Sequence, residues 1–165
     1  TVDELVVPVG RPVEMTLTTD TVMQSLLIAP LTGQIYAMPG MTTKLNFSAT
    51  RTGEAEGENT QFNGDGFGRQ KFTVRALEPA DFESWVTRGD RGLTLDENTY
   101  ATFRRRTVLA EARGDLGLGE STKPIVLKLG QPDIFQQIVA KYHGGEAERW
   151  GGIGLPQAGT TGAAR

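Results

Sequence analysis

No cysteine occurs among the 165 residues, and histidine occurs once, as His143. Without thiols there is no disulfide, no thiolate nucleophile and no thiolate metal site. With one imidazole, a Ser-His-Asp triad or a histidine-built transition-metal cage would have to be centred on His143. That residue stands in YHGGEAERWGG, where glycines mark a helix end and the start of a tail, and it reads as a solvated helix-end side chain. Also missing are a run of 18 apolar residues and a basic-then-apolar start, so this stretch is expected neither to span a membrane nor to carry a signal peptide. Positive charge is not in excess: 17 Lys and Arg against 20 Asp and Glu give a net charge of −3, which argues against nucleic acid as a partner.

What is present is the composition of a globular protein, 38% hydrophobic and 22% charged, long enough for one domain and a small appendage. The first half reads as short strands. Leu5 to Val9 is apolar and ends at Gly10. Val13, Met15 and Leu17 alternate with Glu14, Thr16 and Thr18. Residues 22–28 form a more buried run closed by Ala29-Pro30, and residues 34–38 lead to a Pro39-Gly40 turn. Leu45, Phe47 and Ala49 alternate with polar neighbours, as do Phe72, Val74 and Ala76. Between those two runs, residues 53–70 (GEAEGENTQFNGDGFGRQ) read as a glycine-punctuated polar loop. Such a series predicts a mainly β fold, a sandwich or barrel, over residues 1–78.

From Glu78-Pro79 onward the period changes. Phe82, Trp85 and Val86 predict an amphipathic helix opened by Pro79. A second helix is expected over residues 96–108 with Tyr100 and Phe103 on its apolar face. A glycine-rich connection over 114–121, a strand over 124–129 and a helix from Pro132, striped by Ile134, Phe135, Ile138, Val139 and Tyr142, complete a helical extension over 79–143. The Gly-, Ala- and Thr-rich residues 144–165 are expected to be a disordered tail.

Four local patterns invite a functional reading, and each has a plainer one. GDGFG at Gly64, Gly66 and Gly68 resembles a phosphate loop, but a strand pattern follows where a helix would be needed, and Asn63-Gly64 suits a tight turn. Asn63 and Asp65 suggest a calcium loop that lacks its later ligands and closing glutamate. Glu54, Glu56 and Glu58 share one face of any strand they form, as an acidic docking patch or simply as a solvated face. Arg104, Arg105 and Arg106 point in different directions on a helix, which favours solvation over contact with lipid headgroups.

One larger pattern absorbs the loop. VMQSLLIAP, GQIYAMPGMTTKLNF, GEAEGENTQFNGDGFG and KFTVRALEPADFESWV, in that order, resemble subunit II of the haem–copper respiratory oxidases over residues 5–85. In the cytochrome c oxidase branch that subunit is a cupredoxin sandwich whose C-x-E-x-C-G-x-x-H-x-x-M loop and an earlier His hold two copper ions. The resemblance places Gln24 at the first His, Asn59 and Asn63 at the two Cys, Gln61 at the Glu, Phe67 at the second His and Gln70 at the Met. Gly64, Gly53 and Gly57 match as glycines. The scaffold is kept and every side-chain ligand is replaced, and amides and a phenyl ring cannot do the work of bridging thiolates and imidazoles. Asn and Gln side chains can instead bond one another and the nearby backbone.

LTLDENTYATF and PIVLKLGQPDIFQQIVAKY are similar to the aromatic-containing C-terminal extension of subunit II of bacterial ubiquinol oxidases of the cytochrome bo type. The resemblance implies a cupredoxin-like Greek-key sandwich with a helical extension, on the periplasmic side of the bacterial inner membrane. It implies the non-copper subunit of a proton-pumping complex that oxidises quinol and reduces oxygen to water. Haems and copper would then belong to a large partner subunit, with no metal, cofactor or catalytic residue in this chain and no cytochrome c as partner. Relatives carry two N-terminal transmembrane helices, so this stretch would be the soluble domain of a longer chain. The alternative is a free-standing, metal-free cupredoxin-like binding or chaperone module.

Overall fold

The computed structural model describes residues 1–143 apart from 90, 91, 106 and 120. The expected tail over 144–165 and one member of the arginine triplet, Arg106, lie outside the described residues. Seven strands come first: β1 (Glu4–Pro8), β2 (Pro12–Leu17), β3 (Gln24–Ala29), β4 (Ile35–Ala37), β5 (Thr43–Ser48), β6 (Gly53–Asn59) and β7 (Lys71–Leu77). Then follow α1 (Pro79–Gly89), β8 (Leu93–Leu95), α2 (Glu97–Arg104), α3 (Leu109–Asp115), β9 (Leu127–Leu129) and α4 (Ile134–Ala140).

The strands form a five-stranded sheet in the order β1-β7-β6-β3-β4 and a two-stranded sheet of β2 and β5. Within the larger sheet β1 runs parallel to β7, and the other neighbours are antiparallel. The expected mainly β sandwich is therefore present. Alternation explains its layers: Val13 lies opposite Phe47 and Met15 opposite Leu45, so one face of the β2–β5 pair is apolar while Glu14, Thr16, Lys44 and Asn46 face water. That apolar face closes over Val7 and Ala76 of the large sheet, together with Ala49, Leu5, Val9 and Leu31.

Residues 53–59 are a strand, not part of the polar loop expected there. β6 is central, paired with β3 on one side and β7 on the other, so tertiary pairing overrides its poor strand composition. The glutamate row lies on its wetter face beside cations of β7: Glu56 and Glu58 reach Lys71 at 2.6 and 3.8 Å, and Glu54 reaches Arg75 at 3.6 Å. On the other face Gly57 is directly opposite Phe72 and buried; a Cβ at Gly57 would lie only 2.2 Å from Phe72 Cζ.

The extension departs from expectation in three places. The second helix stops at Arg104, and Arg105 is extended. Glu111 then accepts from the Thr107 hydroxyl (3.2 Å) and the Val108 N–H (3.4 Å), which starts α3 as a separate helix. The glycine-rich connection consequently begins only after Asp115, and Arg113 gathers it by donating to the carbonyls of Leu118, Gly119 and Lys123. Finally, Leu93–Leu95 forms β8, pairing in parallel with β9; three residues are too few for periodicity to reveal a strand.

Besides an exposed Arg11–Glu83 ion pair (3.5 Å) and the packing of α1 beside β1, two attachments tie the extension to the sandwich among the described residues. Val2 bridges to Ile125, which is 2% exposed. The second is Asp20, between β2 and β3. Its carboxylate, one-tenth exposed, accepts from the Tyr100 hydroxyl (3.0 Å) and pairs with Arg104 Nε (2.8 Å) and Lys141 Nζ (2.5 Å), while its carbonyl accepts from the Tyr142 hydroxyl. Tyr142 also packs on Gly40, where a Cβ would sit 2.7 Å from its own Cβ and where φ is +71°. Burial alone would raise the Asp20 pKa, but the Lys141 and Tyr100 donors and the charges of Lys141 and Arg104 hold it below its ordinary 3.8. Burial first, and then Asp20, push the Tyr100 hydroxyl upward, so it remains a donor.

Two outcomes follow. Gly57→Ala is expected to lower unfolding free energy by about 1–3 kcal/mol through overpacking, with Phe72→Leu in the same chain recovering part of it; guanidinium titration measures both. The stabilisation from Asp20 is fully present above its unfolded pKa and is lost as pH falls through the lower folded value. Asp20→Asn should therefore cost about 1–2 kcal/mol at neutral pH, its cationic partners being half exposed and screened. It should also flatten the acid limb of a melting-temperature profile.

Candidate functional site

At one end of the sandwich the chain leaves β6, makes the loop 60–66 and a 3-10 turn (Phe67–Arg69), and re-enters the sheet as β7. Gln24, the first residue of β3, lies beside this loop. Register brings the three strand ends together, since Leu26 of β3 is opposite Asn59 of β6.

Asn59 is the centre of what results. Its Oδ1 accepts from the backbone N–H groups of Ser25 (2.9 Å) and Gln61 (3.0 Å). Its Nδ2 donates to the carbonyl of Gln61 (2.8 Å) and to Gln70 Oε1 (2.6 Å). Gln70 Oε1 accepts a second donor, Asn63 Nδ2, at 3.0 Å, and Asn63 Nδ2 also donates to Gln24 Oε1 at 3.0 Å. A side-chain amide carries both donors and acceptors, so a small set of them can saturate itself. The backbone adds Asn59 N–H to the Gln70 carbonyl (3.0 Å) and Thr60 N–H to the Ser25 carbonyl (2.9 Å). The Thr60 hydroxyl donates to that of Ser25 at 3.0 Å, and Ser25 is fully buried.

Of the six positions singled out from the sequence, the structure joins Gln24, Asn59, Asn63 and Gln70 through side chains. Gln61 joins through its backbone, while its side chain turns to the Phe62 carbonyl (3.2 Å). Phe67 stands apart, edge-on to Phe62 with centroids 5.1 Å apart at 72°. Phe62 is 65% exposed. Ser25, Thr60 and Phe62 carry no signature that sequence reasoning could have used, because their roles depend on register.

The loop's shape comes from its glycines. Gly66 is left-handed (φ +87°), and from there Arg69 N–H reaches the Gly66 carbonyl and Gln70 N–H that of Phe67. GDGFG runs into a three-residue 3-10 turn (Phe67–Arg69) and then a strand, so no α-helix N-terminus faces it and the phosphate-loop reading is not met. Among the described residues no three His, Asp or Glu gather where a metal ion could sit, at the calcium-like Asn63 and Asp65 or elsewhere. His143 is exposed, its N–H donating to the Ala140 carbonyl. The amide cluster does not fit copper either. It offers no thiolate, imidazole or thioether, and the Nδ2 groups of Asn59 and Asn63 are already spent on protein oxygens.

Behind the cluster lies an open cavity of about 890 Å³ between the two sheets. Leu5, Met15, Leu17, Leu26 and Phe72 supply apolar wall, Asn59 and Gln70 contribute amide surface, and the start of α3 lies at its edge.

No family model matches the chain. It is 36% identical over 145 residues to cytochrome bo(3) ubiquinol oxidase subunit 2 of Pseudomonas putida, covering 87% of this chain and 42% of that protein. It is 42% identical over 100 residues to the probable quinol oxidase subunit 2 of Staphylococcus aureus (strain USA300), covering 61% and 27%. The chain thus spans less than half the length of the curated relatives it matches. Among solved structures it is similar to the periplasmic domain of subunit II of cytochrome oxidase of Bradyrhizobium japonicum, with 27% identity, a TM-score of 0.49, and 51% of this chain and 61% of that one covered.

Removing the central amide tests the cluster. Asn59→Ala strands the N–H groups of Ser25 and Gln61 without an acceptor and is expected to cost about 1–3 kcal/mol. Gln61→Ala, which leaves the backbone bonds in place, should cost well under that. Guanidinium unfolding of the two variants provides the comparison.

Proposed function

Because the chain belongs with subunit 2 of the bacterial quinol oxidases, we propose that it is the periplasm-facing domain of such a subunit and holds no redox centre of its own. In this reading Gln24, Asn59, Gln61, Asn63, Phe67 and Gln70 occupy the positions of the lost copper ligands, and the chain contributes no catalytic residue. The observation that carries it is the hydrogen-bonded amide cluster around Asn59 in a chain without a single cysteine. The loop keeps its shape by hydrogen bonds where metal coordination would otherwise be needed.

Residues 1–78 are the cupredoxin-like unit and residues 79–143 the extension, which Asp20 ties to the loop leading into Gln24. The domain caps a large haem-bearing subunit at the bacterial inner membrane and stabilises the assembly, anchored by N-terminal helices of the longer chain. Electrons pass from quinol to the haems and copper of that partner within the membrane, where oxygen is reduced to water and protons are pumped. Neither a copper relay nor cytochrome c takes part.

The cavity behind the amide cluster favours a second reading, a free-standing binding or chaperone module that accepts a small apolar guest. Purification of the longer chain from membranes separates the two: haem-bearing subunits should accompany it, whereas a chain that purifies alone supports the module. Copper separates the first reading from a copper-bearing subunit. Adding cupric and cuprous ions to the purified domain should give no thiolate-to-copper absorption and no mixed-valence paramagnetic signal; a stoichiometrically bound pair of ions would refute the proposal.

A further inference from the structure

The chain has four asparagines, and only Asn63 is followed by glycine. Glycine has no side chain to obstruct its own backbone nitrogen, so Asn-Gly is the pair in which that nitrogen most readily attacks the asparagine Cγ. Gly64 sits at φ +123° with open space around its Cα, and its N–H donates to no backbone carbonyl among the described residues. The attacking group is therefore available. The group attacked is not, because Asn63 Nδ2 donates at 3.0 Å both to Gln24 Oε1 and to Gln70 Oε1. Releasing Nδ2 as ammonia requires those two bonds to break.

We propose that Asn63 is a latent deamidation site which Gln24 and Gln70 hold shut, and that its conversion frees the part of the loop beyond Gln61 from Gln24, while Thr60 stays bonded to Ser25. The chemistry needs only water. Gly64 N bonds to Asn63 Cγ and gives up its proton, the Cγ–Nδ2 bond breaks, and ammonia leaves a succinimide. Water then adds to either ring carbonyl and opens the ring to aspartate or isoaspartate. Two donated hydrogen bonds are thereby replaced by a carboxylate facing the Oε1 acceptors of Gln24 and Gln70. Gln70 still holds Asn59 and Thr60 still holds Ser25, but among the described residues the one side-chain bond from the loop to Gln24 is lost. The inference stands on the loop's geometry and does not depend on the oxidase reading.

The test is ageing of the purified chain at mildly alkaline pH, followed by peptide mapping of residues 52–69. In the native protein, conversion at Asn63 should be at least roughly tenfold slower than in urea, where the local structure is lost. Asn59, in the same peptide but followed by Thr60, is the internal reference and should stay unchanged. Gln24→Ala and Gln70→Ala should each accelerate the native rate severalfold, while Gln24→Glu, which keeps an acceptor for Asn63, should not. Equal rates in the native and urea-unfolded wild type would overturn the proposal without recourse to any variant, as would folded alanine variants that age no faster. For the release of the loop, Asn63→Asp should speed amide hydrogen exchange over residues 62–69 relative to β7. Unchanged exchange would overturn that part.

Discussion

The side chain of Asn59 joins the last residue of β6 to three neighbours by four hydrogen bonds, two accepted and two donated. Each is worth about 0.5–1.5 kcal/mol net, yet the loss of any partner costs more because a shielded donor or acceptor is left behind. The loop beyond it has little else to hold it. Its residues are polar or glycine, and its one aromatic pair, Phe62 with Phe67, is largely at the surface. Where such a loop is packed by no core of its own, directional bonds must fix it, and amides are the neutral side chains that both give and accept them.

The same constraint links the two halves of the molecule. Asp20, which gathers Tyr100, Arg104, Lys141 and Tyr142, stands four residues before Gln24, the member of the amide cluster on β3. The β2–β3 connection is thus held at one end by the extension and at the other by the loop after β6. Val22 and Met23, between those anchors, remain exposed (44% and 38%).

Much of this was legible in the residues. Strands with strict alternation, such as β2, β5 and β7, declared themselves, as did the helix opened by Pro79, because one face of each is apolar. β6 did not: its glutamates and glycines make a poor strand alone, and only its central place between β3 and β7 makes it one. The end of α2 at Arg104 was hidden because Glu111, seven residues further on, caps the next helix. Asp20 looked like any loop aspartate, since its partners are 80 to 122 residues away. At the candidate site the family pattern pointed to six residues, and five share one hydrogen-bonded cluster. Phe67 does not, since a phenyl ring has no donor or acceptor to offer.

Native-state amide hydrogen exchange across residues 59–70 of chelator-stripped protein probes the role of the amides most directly. If amides rather than a metal lock the loop, the Asn59, Thr60, Gln61 and Gln70 N–H groups will be protected comparably to neighbouring β-strand amides, and added copper will change nothing. A loop that exchanges freely after chelation and gains protection only when copper is restored would contradict it.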